Sequence, residues 1–264
     1  SNFIKESIET SRNSRFGVFE ESMGVASSAG ATTGAVKADS AQDFSTTNIQ
    51  VEGVDEADFV KNDGKYIYAV SGKKIVIVDA YPAEDMKILS EIELNESASE
   101  IFINDDKLIV FIGYSYNGES SVEIYDVSDR ENPELDKKID LDGGYVDSRM
   151  IGDYVYVISN KYIDTENPEP PVFVVGGIEK SVQPEDVYYF DYLDYSYSFT
   201  SVSALNIKNG ELESKTYLIG SSGTIYVSEN NIYLTYTKYL EYKTRFEQQV
   251  EDVYIKLLPA SEKA

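Results

Sequence analysis

The sequence predicts an all-β chain, a β-propeller of four-stranded antiparallel blades with about three and a half blades present as an incomplete ring. Three observations predict it. A module of strand and turn text recurs with a period of about 40 residues, the length of one blade. Its runs are rich in β-branched and aromatic residues, which pack well on a pleated, half-buried surface. Between the runs lie clusters of Asn, Asp and Gly, which tolerate the backbone of tight hairpin turns. An antiparallel meander shares the short strands but does not require a common period.

The elements follow in chain order. Residues 1–47 stand apart: Asn2 to Arg15 reads as a short helix with Phe3, Ile4 and Ile8 on one side, and Gly24 to Thr47 as an Ala, Ser, Thr and Gly-rich linker. The partial propeller then occupies residues 48–264. Its first blade, about 57–94, has strands at Asp58 to Lys61, Lys65 to Val70, Lys74 to Asp79 and Met86 to Leu94. The second blade covers about 100–141, the third about 146–220, and a half blade about 223–237 supplies two inner strands. A short C-terminal helix is predicted over about 239–258, with Leu240, Phe246, Val250 and Leu257 on its apolar side.

Two landmarks keep the repeat in step. The second-strand texts superpose so that Tyr66, Leu108, Tyr154 and Ile232 correspond, each preceded by a polar turn such as Asn62-Asp63-Gly64. The third strands end in Asp79, Asp126 and Asn206, and the fourth strands end at Leu94, Leu141 and Gly220, in each case about 15 residues later. Propellers close with about four to eight blades, so this ring has open edges and apolar faces that soluble proteins avoid. Missing blades or a second chain at the open edge are therefore expected partners.

Composition narrows the function. The formal charge is −24, from 47 acids against 23 bases. Such a surface repels phosphate backbones and anionic lipid, which argues against nucleic acid and membrane-surface partners. The chain has neither Cys nor His, which removes disulfides, thiol nucleophiles, imidazole bases and the usual zinc ligands. Carboxylates, Lys, Tyr, Ser and Thr are left for chemistry. Trp is absent too, so the WD dipeptide of WD-repeat blades cannot occur, although Tyr125-Asp126 holds the equivalent strand end. No apolar run is long enough to span a bilayer.

The segment Asn48 to Val70, and above all the phrase Val51-Glu52-Gly53-Val54-Asp55-Glu56-Ala57-Asp58, resembles the opening of a family of predicted secreted β-propeller proteins of archaea and bacteria, distantly related to WD repeats. The likeness runs on through the strand texts to Leu257. It implies the propeller architecture and a secreted or cell-surface location, and it implies no reaction.

Three groups of residues are candidates for function. An insertion in the third blade, about 161–199, carries Pro168, Pro170, Pro171 and Pro184 and then Asp186, Tyr188, Tyr189, Asp191, Tyr192, Asp194, Tyr195 and Tyr197. Long loops on a rigid scaffold are often functional, and tyrosine gives contact area at small entropic cost. The alternative is a lid over an apolar blade surface. The carboxylates Asp58, Glu100 and Asp147 begin the innermost strands, where a propeller brings them together at the channel; three such groups would suit calcium, the one cofactor the sequence suggests. Asp186, Asp191 and Asp194 would suit the same ion but lack the Gly and terminal Glu of an EF-hand loop. Glu52, Asp55 and Glu56, with Asp58, are expected to hold backbone N–H groups at the entry to the propeller. The reading that results is an extracytoplasmic recognition or scaffold module for a protein or cell-surface polymer, acting without catalysis. A carboxylate-dependent glycoside hydrolase or carbohydrate-binding enzyme, and a structural surface-assembly component, are the alternatives.

Overall fold

Polar turns fix where the strands begin. Asp63 Oδ1 accepts the backbone N–H groups of Lys65 and Tyr66, at 3.1 and 2.8 Å, and so launches the second strand of the first sheet. Asp105, at φ 52°, makes the matching turn in the next sheet. The computed structural model describes residues 51–113, 118–164, 168–190, 197–220, 222–228 and 230–237, so the two terminal helices and the linker expected above lie outside the described residues.

A two-residue strand, β1 (Asp55–Glu56), precedes the first blade, which is β2 (Val60–Asn62), β3 (Tyr66–Ser71), β4 (Lys74–Asp79) and β5 (Lys87–Glu93). The second blade is β6 (Ala98–Asn104), β7 (Lys107–Ile112), β8 (Glu119–Asp126) and β9 (Glu134–Asp142). The third opens with β10 (Gly144–Ile151) and β11 (Tyr154–Tyr162). Three insertion strands intervene, β12 (Val172–Val175), β13 (Ile178–Ser181) and β14 (Val187–Tyr189), before the blade resumes at β15 (Tyr197–Asn206) and β16 (Leu212–Gly220). Finally β17 (Ser222–Ser228) and β18 (Asn231–Tyr236) form a two-stranded half blade. The fold is the incomplete propeller that the repeat predicts.

Alternation along each strand builds the core as a series of seams between blades. On β7, Leu108, Val110 and Ile112 face the first blade, where they meet Tyr68, Ile75 and Ile77. Ile109 and Phe111 face the third blade and pack with Val155, Val157 and Leu205. This is why the text Lys107-LIVFI is apolar without a break: both faces are covered. A smaller seam of Val54, Ile158, Ile225 and Val227 joins the third blade to the half blade. The middle of the third blade is buried but hydroxylic, and its groups satisfy one another: Ser201 Oγ and Thr216 Oγ1 lie 2.9 Å apart, and Ser203 donates to Ser214 at 3.0 Å.

Arg130, in the β8–β9 connection, clasps the first two blades. Its side chain is only 14% exposed. Its Nε donates to Tyr68 Oη at 3.1 Å, one terminal nitrogen pairs with Asp106, and the other reaches Asp63 at 3.4 Å and the Asp105 carbonyl at 3.1 Å. The guanidinium also lies 5.3 Å from the centre of the Tyr66 ring. Ser90 of β5 donates back to the Arg130 carbonyl at 2.7 Å.

Two arrangements depart from a simple row of blades. The insertion does not form a free loop: β12 and β13 make a hairpin that extends the outer edge of the second blade through β9, and β14 pairs in parallel with β16 at the outer edge of the third. Phe173 on β12 is buried in the seam between those blades. The two outer edges are thus covered by one segment. At the inner edge, β1 pairs with β10 through Asp55↔Met150 and Glu56↔Arg149, and Asp58 bridges to Ile101 of β6. The segment Asp55 to Val60 therefore passes the third blade, then the second, before it enters the first. The first blade turns Val60, Ile67, Val76, Val78 and Ile88 away from the second blade, and Val60 and Ile88 are exposed there.

Candidate functional site

Because neighbouring strands run antiparallel, the β5–β6, β7–β8 and β9–β10 connections and the third-blade insertion all emerge at one end of the blades. A cavity of about 1220 Å³ opens at this end. Its walls are apolar at Phe59, Ile112, Leu141, Val172 and Val174. Its polar lining is dominated by five carboxylates, Glu96, Glu100, Glu119, Asp140 and Asp142, against a single base, Lys138. Gly113 shapes the rim: at φ 140° it lies so close to Ser120 that a Cβ would sit 2.6 Å from that residue's Cβ.

Register explains how the acids come to share one wall. Glu119 and Asp142 stand directly opposite each other on β8 and β9, and Ser121 stands opposite Asp140. Like charges in direct cross-strand register are unfavourable. Asp142 is relieved from the far side, where Lys161 Nζ donates to its Oδ2 at 2.6 Å and the Val172 N–H donates to the same oxygen at 3.0 Å. Lys138 is held 3.1 Å from Asp140. Ser121 is only 8% exposed, lines the cavity and makes no side-chain hydrogen bond to any described residue.

The channel carboxylates Asp58, Glu100 and Asp147 lie near one another. Burial pushes the Glu100 carboxyl above its ordinary range; the hydrogen bond from Tyr145 Oη to its Oε2, at 2.7 Å, opposes this, and the charges of Asp147 and Asp58 reinforce it. The Tyr145 hydroxyl is itself pushed up, first by burial and then by the Glu100 charge. Asp147, however, is paired with Arg149, which also reaches Glu56 at 3.5 Å, and Asp58 Oδ1 accepts the Phe59 N–H at 2.7 Å. Among the described residues no three Asp, Glu, His or Cys side chains are arranged to hold a metal ion. In the opening phrase, Asp55 takes the Glu56 N–H at 2.9 Å, and it also pairs at 2.8 Å with the buried Lys61, whose ammonium lies 5.4 Å from the Phe102 ring centre. Of the four acids, Asp55 and Asp58 make the expected backbone contacts, while the Glu56 carboxylate faces Arg149; the cations that balance the phrase come from other strands.

Of the insertion residues, Asp186 ends a single 3₁₀ turn, Pro184–Asp186, and Tyr197 opens β15 opposite Gly220. Tyr188 and Tyr189 are exposed on β14, the former with its ring 5.4 Å from that of Tyr217. Asp191, Tyr192, Asp194 and Tyr195 lie outside the described residues. The cavity itself was missed from the sequence, as was the hairpin that walls it. One signal for the hairpin was present: Gly176-Gly177 directly after the apolar run Val172-FVV, a two-residue turn whose φ values here are 58° and 80°.

Glu100 gives a pH prediction. A carboxyl whose pKa is raised on folding binds its proton more tightly in the folded state, so it costs stability as pH rises from its unfolded pKa through the folded one. Glu100→Gln should therefore raise the thermal midpoint at neutral pH and leave it unchanged well below pH 4, and equal shifts at both would refute this.

Comparison with known sequences agrees with the strand pattern. The family profile described as "Beta propeller domain" matches residues 44–262. The chain belongs to the beta propeller domain family. Among curated relatives, this propeller is 34% identical over 199 residues to an uncharacterized protein of Methanocaldococcus jannaschii, covering 73% of the chain and 29% of the relative. It is 28% identical over 221 residues to an uncharacterized protein of Archaeoglobus fulgidus, covering 75% of the chain and 33% of the relative. The propeller chain thus spans about a third of the length of these relatives. A propeller of this family is a binding or scaffold module at the coarse level, and among the described residues no helix is long and apolar enough to cross a membrane.

Proposed function

We propose that this propeller is an extracytoplasmic recognition module that binds a protein or a cell-surface polymer in the cavity at the shared end of its blades, without turnover. The observation that carries the reading is the cavity's position: two successive blade junctions, β5–β6 and β9–β10, and the ends of the β7–β8 connection between them meet there on a rigid scaffold, and the insertion adds Val172 and Val174 to the wall. The insertion also presents Tyr188 and Tyr189 along the outer edge of the third blade, where they extend the contact surface. The location outside the cytoplasm follows the family resemblance of the segment from Val51 to Asp58. In this reading the apolar face of the first blade is closed by further blades or a second chain, in keeping with relatives of which the match covers 29% and 33%.

The test is sedimentation of the purified chain with isolated cell envelopes. Ser121→Phe, which fills the cavity from within, should abolish co-sedimentation while the thermal midpoint stays near that of the parent. Undiminished co-sedimentation of a folded Ser121→Phe protein would overturn the assignment of the cavity. Glu119→Arg is a second variant, since it reverses a rim charge on an exposed strand end and leaves the core untouched.

A further inference from the structure

Resting on the reading of the chain as extracytoplasmic, we propose that Asn95 is a site of N-linked glycosylation and carries an oligosaccharide at the rim of the cavity. Asn95-Glu96-Ser97 is the one Asn-X-Ser or Asn-X-Thr triplet in the sequence. Such a triplet is the acceptor read by oligosaccharyltransferases in secreted proteins, provided that X is not proline and that a surface loop presents it. Both conditions hold here, since X is Glu96 and all three residues are exposed in the β5–β6 connection.

The fold holds this connection so that the triplet faces outward. Leu94 is buried and its N–H donates to the Lys73 carbonyl at 2.8 Å, while the Ala98 N–H donates to the Gly72 carbonyl at 3.2 Å. The triplet therefore stands between two points pinned to the β3–β4 turn. Lys73 Nζ adds a third hold, 2.7 Å from the Asn95 carbonyl and 3.2 Å from the Glu96 carboxylate, and this contact involves neither the Asn95 carboxamide nor the Ser97 hydroxyl. The turn itself is open on its outer side, where a Cβ on Gly72 would meet no heavy atom within 4 Å.

Turn chemistry does not account for the asparagine. An Asn in a tight connection commonly secures its own backbone, as Asn206 does when its Oδ1 accepts the N–H groups of Lys208 and Asn209 at 3.0 and 3.3 Å. The Asn95 carboxamide and the Ser97 hydroxyl make no hydrogen bond to any described residue, so both remain available to a transferase. In the transfer Asn95 Nδ2 attacks the anomeric carbon of an oligosaccharide carried on a polyprenyl phosphate. A C–N bond forms, the C–O bond to the phosphate breaks, the polyprenyl phosphate leaves with the bonding pair, and the amide proton passes to a base of the transferase. Glu96 and Ser97 line the cavity, so the glycan stands beside the surface assigned to recognition.

Fractionation of the source cells followed by mass spectrometry of the tryptic peptide from Ile88 to Lys107, which contains the triplet, tests this. The expected result is a chain in the envelope or secreted fraction whose peptide carries a mass increment that fragments by successive loss of sugar units. Asn95→Gln and Ser97→Ala, expressed in the same cells, should each lose the increment completely, and Ser97→Thr should retain it. These side chains are exposed, so the circular dichroism of each variant should match that of the parent, which separates a lost increment from misfolding. A bare peptide from protein in the envelope or secreted fraction, an increment that survives Asn95→Gln, or full modification of Ser97→Ala overturns the glycosylation site and leaves the location standing. A chain recovered only with cytoplasmic markers, its peptide bare, overturns the location and the site with it.

Discussion

Phe111→Ala is expected to lower the unfolding free energy by about 3 to 5 kcal/mol, the range for truncating a fully buried aromatic residue. Phe111 has no exposed surface and sits in the seam between the second and third blades. Its ring meets Phe102 edge to face at 5.7 Å and stacks on Tyr145 at 4.9 Å, and such pairs add about 0.5 to 1.5 kcal/mol each beyond burial. Phe111→Leu keeps most of the volume and should cost far less. Urea unfolding followed by tyrosine fluorescence measures both, and a loss below about 1 kcal/mol for the alanine variant would show that the seam relaxes around the gap. The variant has a further effect at the site. Tyr145 loses the ring that supports it, so its hydrogen bond to Glu100 loosens and the pH dependence attributed to Glu100 should change with it.

Arg130→Ala is expected to cost about 1.5 to 3 kcal/mol, because it removes several hydrogen bonds to charged groups at once; Asp106 is open to water and Asp63 keeps the Tyr68 hydroxyl and two backbone N–H groups, so neither is left without a partner. Asp63, Asp106 and the Tyr68 hydroxyl all face the guanidinium, and each belongs to a different turn or strand of the first two blades. Arg130→Lys should recover little, since an ammonium cannot reproduce the planar fork or the stacking on Tyr66. Adding Asp63→Asn to Arg130→Ala should return part of the loss, as it removes one of the charges that the guanidinium balanced. Full additivity of the two substitutions would mean that Asp63 and Arg130 do not cooperate. Limited proteolysis is a second readout, and cleavage should begin in the first blade.

How much of this was legible in the text depends on whether a feature repeats. The strands of the first blade could be read because Tyr66-IYAV and Lys74-IVIVD carry their own alternation and their own turns. Asp58, Glu100 and Asp147 could be aligned because each stands at the start of a repeat, and they do lie near one another. Lys61 and Arg149, which balance the charges of the opening phrase, occupy no repeated position and could be placed only by the sheet. The insertion was hidden for a different reason. Its hairpin pairs with β9, a strand of the preceding blade, and no local pattern in Val172 to Ser181 names that partner. The cavity was least visible of all, since Ser121 and Asp140 are ordinary strand residues until β8 and β9 bring them side by side.

The pairing of β1 with β10 bears on the order in which the chain can fold. Asp55 emerges during synthesis before either of the first two blades, yet its partner Met150 lies beyond both. The contact closes a loop that contains all eight strands from β2 to β9. Loop-closure entropy grows slowly with length, but contacts of this separation are made late and slow the search. The first blade can fold as soon as β5 is complete, whereas the segment leading into it must wait for the third, so the earliest residues of the propeller are among the last to dock. Until then the inner edges of β6 and β10 stand unpaired, and nascent chains in that interval are where strand exchange between neighbouring molecules would begin.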